Sequence, residues 1–310
     1  MRITQNMMSN LFVRNIQKQT EAMLQRQEQL VSQKRINRPS DDPGGMARVL
    51  DGRSTLVAID QYVENIKQGK SRLEITEMTL AQVDDLVQQA RKLAEVNSDA
   101  EITPEQRALA AEKVKGIYDH VMQLANSRFG DRYMFAGYQT DRAPFARNDN
   151  YNATYHDSPP ATPDPADTGS FQIPIADNVK VSVDADGRNY FGDGATGVFF
   201  ELQKLINGLE NTTDPAAGTA AIRTTVDPLE AAHVQIMNKR SEGSPKLYRL
   251  EASEQYWTHF KPMVMEAMGR DEDADITRVA VELNNLRTAY ETSMAAAAKI
   301  IQRGLVDFLG

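Results

Sequence analysis

Gly192-Asp193-Gly194-Ala195-Thr196-Gly197 has the G-x-G-x-x-G spacing that lets a backbone approach a pyrophosphate at a helix N-terminus, and a helical pattern follows it. That chemistry needs a parallel strand before the glycines and an acidic residue about 20 positions on. The surroundings are Gly-rich loop without repeated βαβ units, so the segment reads as a plain loop. Asp184-x-Asp186-Gly187-x-Asn189 touches the calcium-loop template, which requires Gly at its sixth position and a bidentate Glu at its twelfth. Asn189 and Ala195 occupy those positions, and Asp186-Gly187 reads as a hairpin turn instead. His120, His156, His233 and His259 are scattered, with no H-E-x-x-H spacing and no G-x-S-x-G elbow nearby. The acid pairs Asp41-Asp42 and Asp84-Asp85 read as helix caps or solvated helix faces. No residue is a candidate for catalysis, for cofactor binding or for holding a metal, and an enzyme is not expected.

Composition narrows the classes further. The chain has 310 residues, 41% hydrophobic and 25% charged, enough for one large or two modest domains. A net charge of -8 argues against an extended nucleic-acid surface. Without cysteine, disulfides, thiol catalysis and cysteine-ligated metals are excluded. No stretch approaches the roughly 20 apolar residues of a bilayer-spanning helix, so no membrane partner is expected. The start, MRITQNMMSNLFVRN, lacks the apolar core of a cleaved signal peptide. By ordinary rules such a chain stays in the cytoplasm, unless an export system reads an uncleaved N-terminus.

The elements that carry these residues are mainly helical. Residues 1 to about 34 contain no Gly or Pro and are rich in helix formers. Arg38-Pro39-Ser40-Asp41-Asp42-Pro43 ends that helix, and Ser40 or Asp42 can cap the next one with Pro43 at its first position. Ile59, Ile66, Leu73, Leu80, Val87 and Ala94 then lie seven apart, with Tyr62, Thr76, Val83 and Ala90 as the companion seam and Gly69 as its weak point. Asn97-Ser98-Asp99 stops this helix, and Thr103-Pro104-Glu105-Gln106 is a capping box opening another. Ala110, Val114, Ile117, Val121 and Leu124 form the buried face of that second helix, and the two should make an antiparallel hairpin.

Composition changes at about residue 130, and from Phe135 to Gly197 the chain is rich in Gly, Pro, Asp and Asn, with short alternating runs such as Val179 to Val183 that read as strands. Asp157 to Thr168 reads as a surface loop, Val198 to Leu209 as helix and Asn211 to Gly218 as loop. Helix resumes from about Ala220, with breaks expected at Gly243-Ser244-Pro245 and from Gly269 to Asp275, and a kink at Pro262. The fold class is therefore mainly α with a β-rich insert: a long-helix bundle built from both chain ends, with a small β-containing outer domain in the middle.

Both ends carry apolar stripes with no local partner. Met8, Phe12, Ile16 and Met23 mark the first. Leu283, Leu286, Tyr290, Met294, Ile301, Leu305 and Phe308 mark the second, and with Ala297 between Met294 and Ile301 every step is three or four residues. Pairing the two ends within one monomer buries only part of each stripe, so these eleven residues are the expected assembly interface. Flexible Met at the termini suits a face that repacks against other subunits.

Three segments together resemble the bacterial flagellin superfamily and, within it, the hook–filament junction branch. The first is Lys34-Arg35-Ile36-Asn37-Arg38-Pro39-Ser40-Asp41-Asp42-Pro43; flagellins carry a related Arg-Ile-Asn and Asp-Asp pair but usually lack this Pro-Ser-Asp-Asp-Pro form. The second is Tyr133-Met134-Phe135-Ala136-Gly137-Tyr138-Gln139-Thr140-Asp141 followed by Pro144-Phe145, similar to the branch's entry into its outer domain. The third is Glu272-Asp273-Ala274-Asp275-Ile276 with the helix after it. Gly243-Ser244-Pro245 departs from the pattern, since it falls where the family has a continuous rod helix.

The resemblance implies a domain plan: residues 1–42 and 272–310 as terminal assembly helices, 43–136 and 229–271 as a helical rod, 137–228 as the outer domain. It also implies a non-enzymatic subunit, exported without signal cleavage to the extracellular flagellum and bound on its C-terminal helix by an export chaperone. The implied assembly is a ring of about eleven copies that joins hook-associated protein 1 to flagellin. A flagellin-type filament subunit is the alternative.

Overall fold

The computed structural model describes residues 5–98, 102–137, 140–155, 172–183, 186–192, 196–211 and 214–309; at 5–6, 8–9 and 299–309 only the helical backbone is described. The helices are α1 (Gln5–Ser32), α2 (Pro43–Val96), α3 (Pro104–Ala125), α4 (Arg188–Phe191), α5 (Val198–Glu210), α6 (Pro215–Glu272) and α7 (Ile276–Leu309). Between α3 and α4 lie six short strands: β1 (Arg128–Phe129), β2 (Arg132–Tyr133), β3 (Phe145–Arg147), β4 (Ala153–Tyr155), β5 (Gln172–Ala176) and β6 (Val179–Ser182). The fold is mainly α, as the periodicity requires. The described strands pair antiparallel as three separate two-stranded ladders, β1–β2, β3–β4 and β5–β6, rather than one sheet.

The chain divides into two compact units, residues 1–59 with 258–310 and residues 60–257. In the second unit the heptad seam of α2 is buried at Ile66, Leu80, Val87 and Ala94, with Thr76, Val83 and Ala90 buried beside it. Leu73 and Tyr62 stay half-buried. The capping box of α3 forms: the Thr103 hydroxyl accepts from the Gln106 N–H while the Gln106 side chain accepts from the Thr103 N–H. Of the face expected on α3, Ala110, Val114, Ile117 and Val121 are buried. They join Leu202 and Leu205 of α5 and Leu229 and Ile236 of α6 in one core.

A smaller cluster unites Ile66 of α2, Leu250 of α6 and Ile173, Ile175, Val181 and Val183 of the β5–β6 region. This explains Gly69. A Cβ there would stand 2.3 Å from Ile173 Cδ1, so the weak point of the seam is the gap into which the hairpin packs.

Four expectations are corrected. Helix α6 runs for 58 residues without restarting at Gly243-Ser244-Pro245, and it continues through Pro262, where a kink is expected from the sequence. Pro245 removes one backbone bond, but Ser241, Ser244 and Pro245 are exposed, so the helix loses that bond on a solvent-facing side where the cost is small. Ile236 and Leu250, both fully buried, anchor the helix on either side. The same helix starts at Pro215 rather than near Ala220, because the Asp214 carboxylate accepts from the Ala216 and Ala217 N–H groups. It also continues past Gly269 to Glu272.

The last correction moves a turn. The hairpin turn lies between β5 and β6, where Asn178 takes φ 57°. Asp186 bridges instead to Ala136, and Gly187 precedes the one-turn helix α4. Gly192 and Gly197 take φ of 86° and 90°, as loop glycines do. Residues 157–168, Asp184, and 193–195 lie outside the described residues.

Candidate assembly site

The first unit is built from chain ends. Helices α1 and α7 pair with each other, tied by an Arg26–Glu282 ion pair at 2.9 Å and a Gln19 Nε2 to Ser293 Oγ hydrogen bond at 3.2 Å. Val279 and Ala297 are buried, and so is Gln29, whose side chain donates to the Arg35 carbonyl at 2.9 Å.

The pairing covers the stripes only in part. Phe12, Ile16, Met23, Leu283, Leu286 and Tyr290 are half-buried. Met294 is 47% exposed, and the neighbouring Leu11, Val31 and Val281 are 58%, 80% and 55% exposed. The side chains of Met8, Ile301, Leu305 and Phe308 lie outside the described residues.

The connector after α1, the first turns of α2 and the end of α6 form an ionic clasp. Two backbone bonds cross it: the Arg35 N–H donates to the Glu272 carbonyl at 2.7 Å, and the Ala274 N–H to the Gln33 carbonyl at 3.0 Å. The Glu272 side chain is only 5% exposed and takes Lys34 Nζ at 2.6 Å and the Arg53 guanidinium. Arg48 grips Asp271 with two bonds of 2.9 and 2.6 Å, and Arg35 donates both to the Asp271 carbonyl at 2.7 Å and to Asp42 at 3.1 Å.

The electrostatics follow from these partners. Burial pushes the Glu272 carboxyl up, but the hydrogen bonds and positive charges of Lys34 and Arg53 together outweigh it and hold the group below its ordinary value. The Arg48 hydrogen bond lowers Asp271. Asp42 is lowered first by the Gly45 N–H and then by Arg35.

The expected motif residues divide between two places. Arg35, Asn37, Asp41 and Asp42 organise the clasp. The Asn37 side chain donates to the Lys34 carbonyl at 3.2 Å, and Asp41 accepts from the Asn37 and Arg38 N–H groups at 3.1 and 2.9 Å. Asp42 caps α2 through the Gly45 N–H at 2.9 Å, with Pro43 as the first helical residue. Pro39 and Ser40 are exposed, and the cap is Asp42. Phe135 and Gly137 lie in the other unit. Phe135 is fully buried, edge-on to Phe191 at 5.2 Å, and Gly137 takes φ 58°.

Sequence reasoning passed over Arg48, Arg53 and Asp271 as site residues, and placed Glu272 in the C-terminal resembling segment without an ion-pair role. The available signal was charge: Arg35, Arg48 and Arg53 stand opposite two acids, Asp271 and Glu272, at a helix end. Their separation of more than 200 positions hid the pairing. Among the described residues no group of three or more His, Cys, Asp or Glu side chains could hold a metal, and no helix is long and apolar enough to cross a membrane.

Known proteins share this architecture. Residues 3–140 match the bacterial flagellin N-terminal helical region. The chain is 31% identical to flagellar hook-associated protein 3 of Salmonella typhimurium over 50% of this chain and 49% of that protein. It is 29% identical to flagellar hook-associated protein 3 of Escherichia coli over 47% and 46%. The matched stretch thus spans about half the length of these curated relatives. The fold resembles Xanthomonas campestris FlgL with a TM-score of 0.61 at 17% identity, over 70% of this chain and 99% of that one. Residues 3–140 therefore match a bacterial flagellin N-terminal helical region, in a chain that resembles flagellar hook-associated protein 3.

Proposed function

We propose that the chain is a non-enzymatic structural subunit of the extracellular bacterial flagellum, placed at the junction between hook-associated protein 1 and the flagellin filament. In this reading residues 1–42 and 272–310 are assembly helices, 43–136 and 229–271 a rod, and 137–228 an outer domain. Neighbouring copies cover Phe12, Ile16, Met23, Leu283, Leu286, Tyr290 and Met294, together with Met8, Ile301, Leu305 and Phe308. The observation that carries the reading is the half-covered α1–α7 pair: Met294 stays 47% exposed on a stripe whose Val279 and Ala297 are buried. A ring of about eleven copies closes the stripes without an open end. Before assembly, an export chaperone covers the C-terminal helix.

The flagellin-type alternative predicts indefinite growth. Purified chain is added to hook and to filament fragments and followed by electron microscopy. A short, terminating layer that then accepts flagellin supports the junction reading, whereas long filaments of this chain alone replace it.

A further inference from the structure

Helix-interior glycines in this chain mostly have a reason within the chain. A Cβ on Gly69 or Gly208 would meet Ile173 at 2.3 Å or Ile222 at 3.0 Å. Gly116 of α3 and Gly243 of α6 are different, and of the two Gly116 lies beside a groove with a basic margin. It lies inside α3, where glycine weakens a helix relative to alanine, yet a Cβ there would meet nothing within 4 Å. No packing inside the described molecule asks for it.

Gly116 lines a surface groove of about 580 Å3 between α2 and α3. Leu86, Leu93 and Ile117 line the same groove. Lys92 and Lys113, both exposed, stand at its edges, and no carboxylate lines it. Among the described residues neither lysine has an ion-pair partner, whereas the nearby Glu95, Glu112 and Asp119 are taken by Arg91, Lys115 and Arg147. This basic margin belongs to a chain of net charge -8.

We propose that the α2–α3 groove is a docking site for an amphipathic helix of another protein, one whose apolar stripe is flanked by Asp or Glu. The apolar lining takes the stripe, Lys92 and Lys113 pair with the flanking carboxylates, and Gly116 admits the partner's backbone closely. A two-fold contact between copies of this chain sets lysine against lysine, so a second copy docked groove to groove is disfavoured. The site lies wholly within residues 86–120 and is independent of the terminal-helix reading.

The test uses the full chain and two fluorescein-labelled peptides with the same leucine stripe, one flanked by glutamates and one by lysines. Anisotropy titration should show the glutamate peptide binding and the lysine peptide at least about tenfold weaker. Gly116→Leu fills the groove and should weaken the glutamate peptide at least about tenfold, with a thermal midpoint equal to or above the parent's. Lys92→Glu with Lys113→Glu should reverse the peptide preference. Failure of the glutamate peptide to bind, equal binding of both peptides, or indifference to Gly116→Leu each overturns the proposal. So does self-association of the full chain that Gly116→Leu abolishes, which makes the occupant a second copy.

Discussion

Lys34 and Glu272, 238 positions apart in the chain, meet at 2.6 Å where the connector after α1 reaches the last residue of α6. The carboxylate is buried and Arg53 shares it. Glu272→Gln keeps the shape and removes the charge. We expect a loss of about 1–2 kcal/mol at neutral pH, discounted because the two cations are partly in water.

The same residue sets a pH dependence. The folded carboxyl lies below its ordinary 4.5, so its contribution is complete above that value and fades as pH falls through the lower folded value. Thermal unfolding of parent and Glu272→Gln should therefore differ at pH 7 and converge in acid below about 4.5. A gap that stays constant into acid contradicts the clasp.

Asp42→Ala should lower the denaturant midpoint by removing the α2 cap, whereas Ser40→Ala should leave it unchanged. Equal effects from both substitutions exclude the assigned cap.

Gly69→Val drives a side chain into Ile173 and should destabilise by about 1–3 kcal/mol. Adding Ile173→Ala should make the double variant less unstable than the two single losses summed. Strict additivity contradicts direct contact.

Much of the fold was legible because helix signals are local. The capping box at Thr103, the cap at Asp42 with Pro43, and the seam from Ile59 to Ala94 each lie within a few turns of the residues they organise. Tertiary packing overrode local signals elsewhere. Pro245 reads as a break but sits on a helix anchored by Ile236 and Leu250, and Asp186-Gly187 reads as a hairpin but is drawn to Ala136. The terminal stripes were visible as periodicity. The clasp was not, because Arg53 and Glu272 share no sequence window.

Met294→Asp alters a side chain already 47% exposed. It should shift monomer stability by no more than about 0.5 kcal/mol while blocking incorporation into hook–filament junctions, read by unfolding and by electron microscopy. Normal incorporation removes Met294 from the interface.

The central claim is that α1 and α7 work by packing against neighbouring copies. Amide hydrogen exchange of the purified monomer beside the assembled state measures this residue by residue. The account predicts that α1 and α7 exchange at least about tenfold more slowly after assembly, while the buried stretches around Val83–Ala94 and Val114–Val121 are protected alike in both. Terminal helices as protected in the monomer as in the assembly would contradict it.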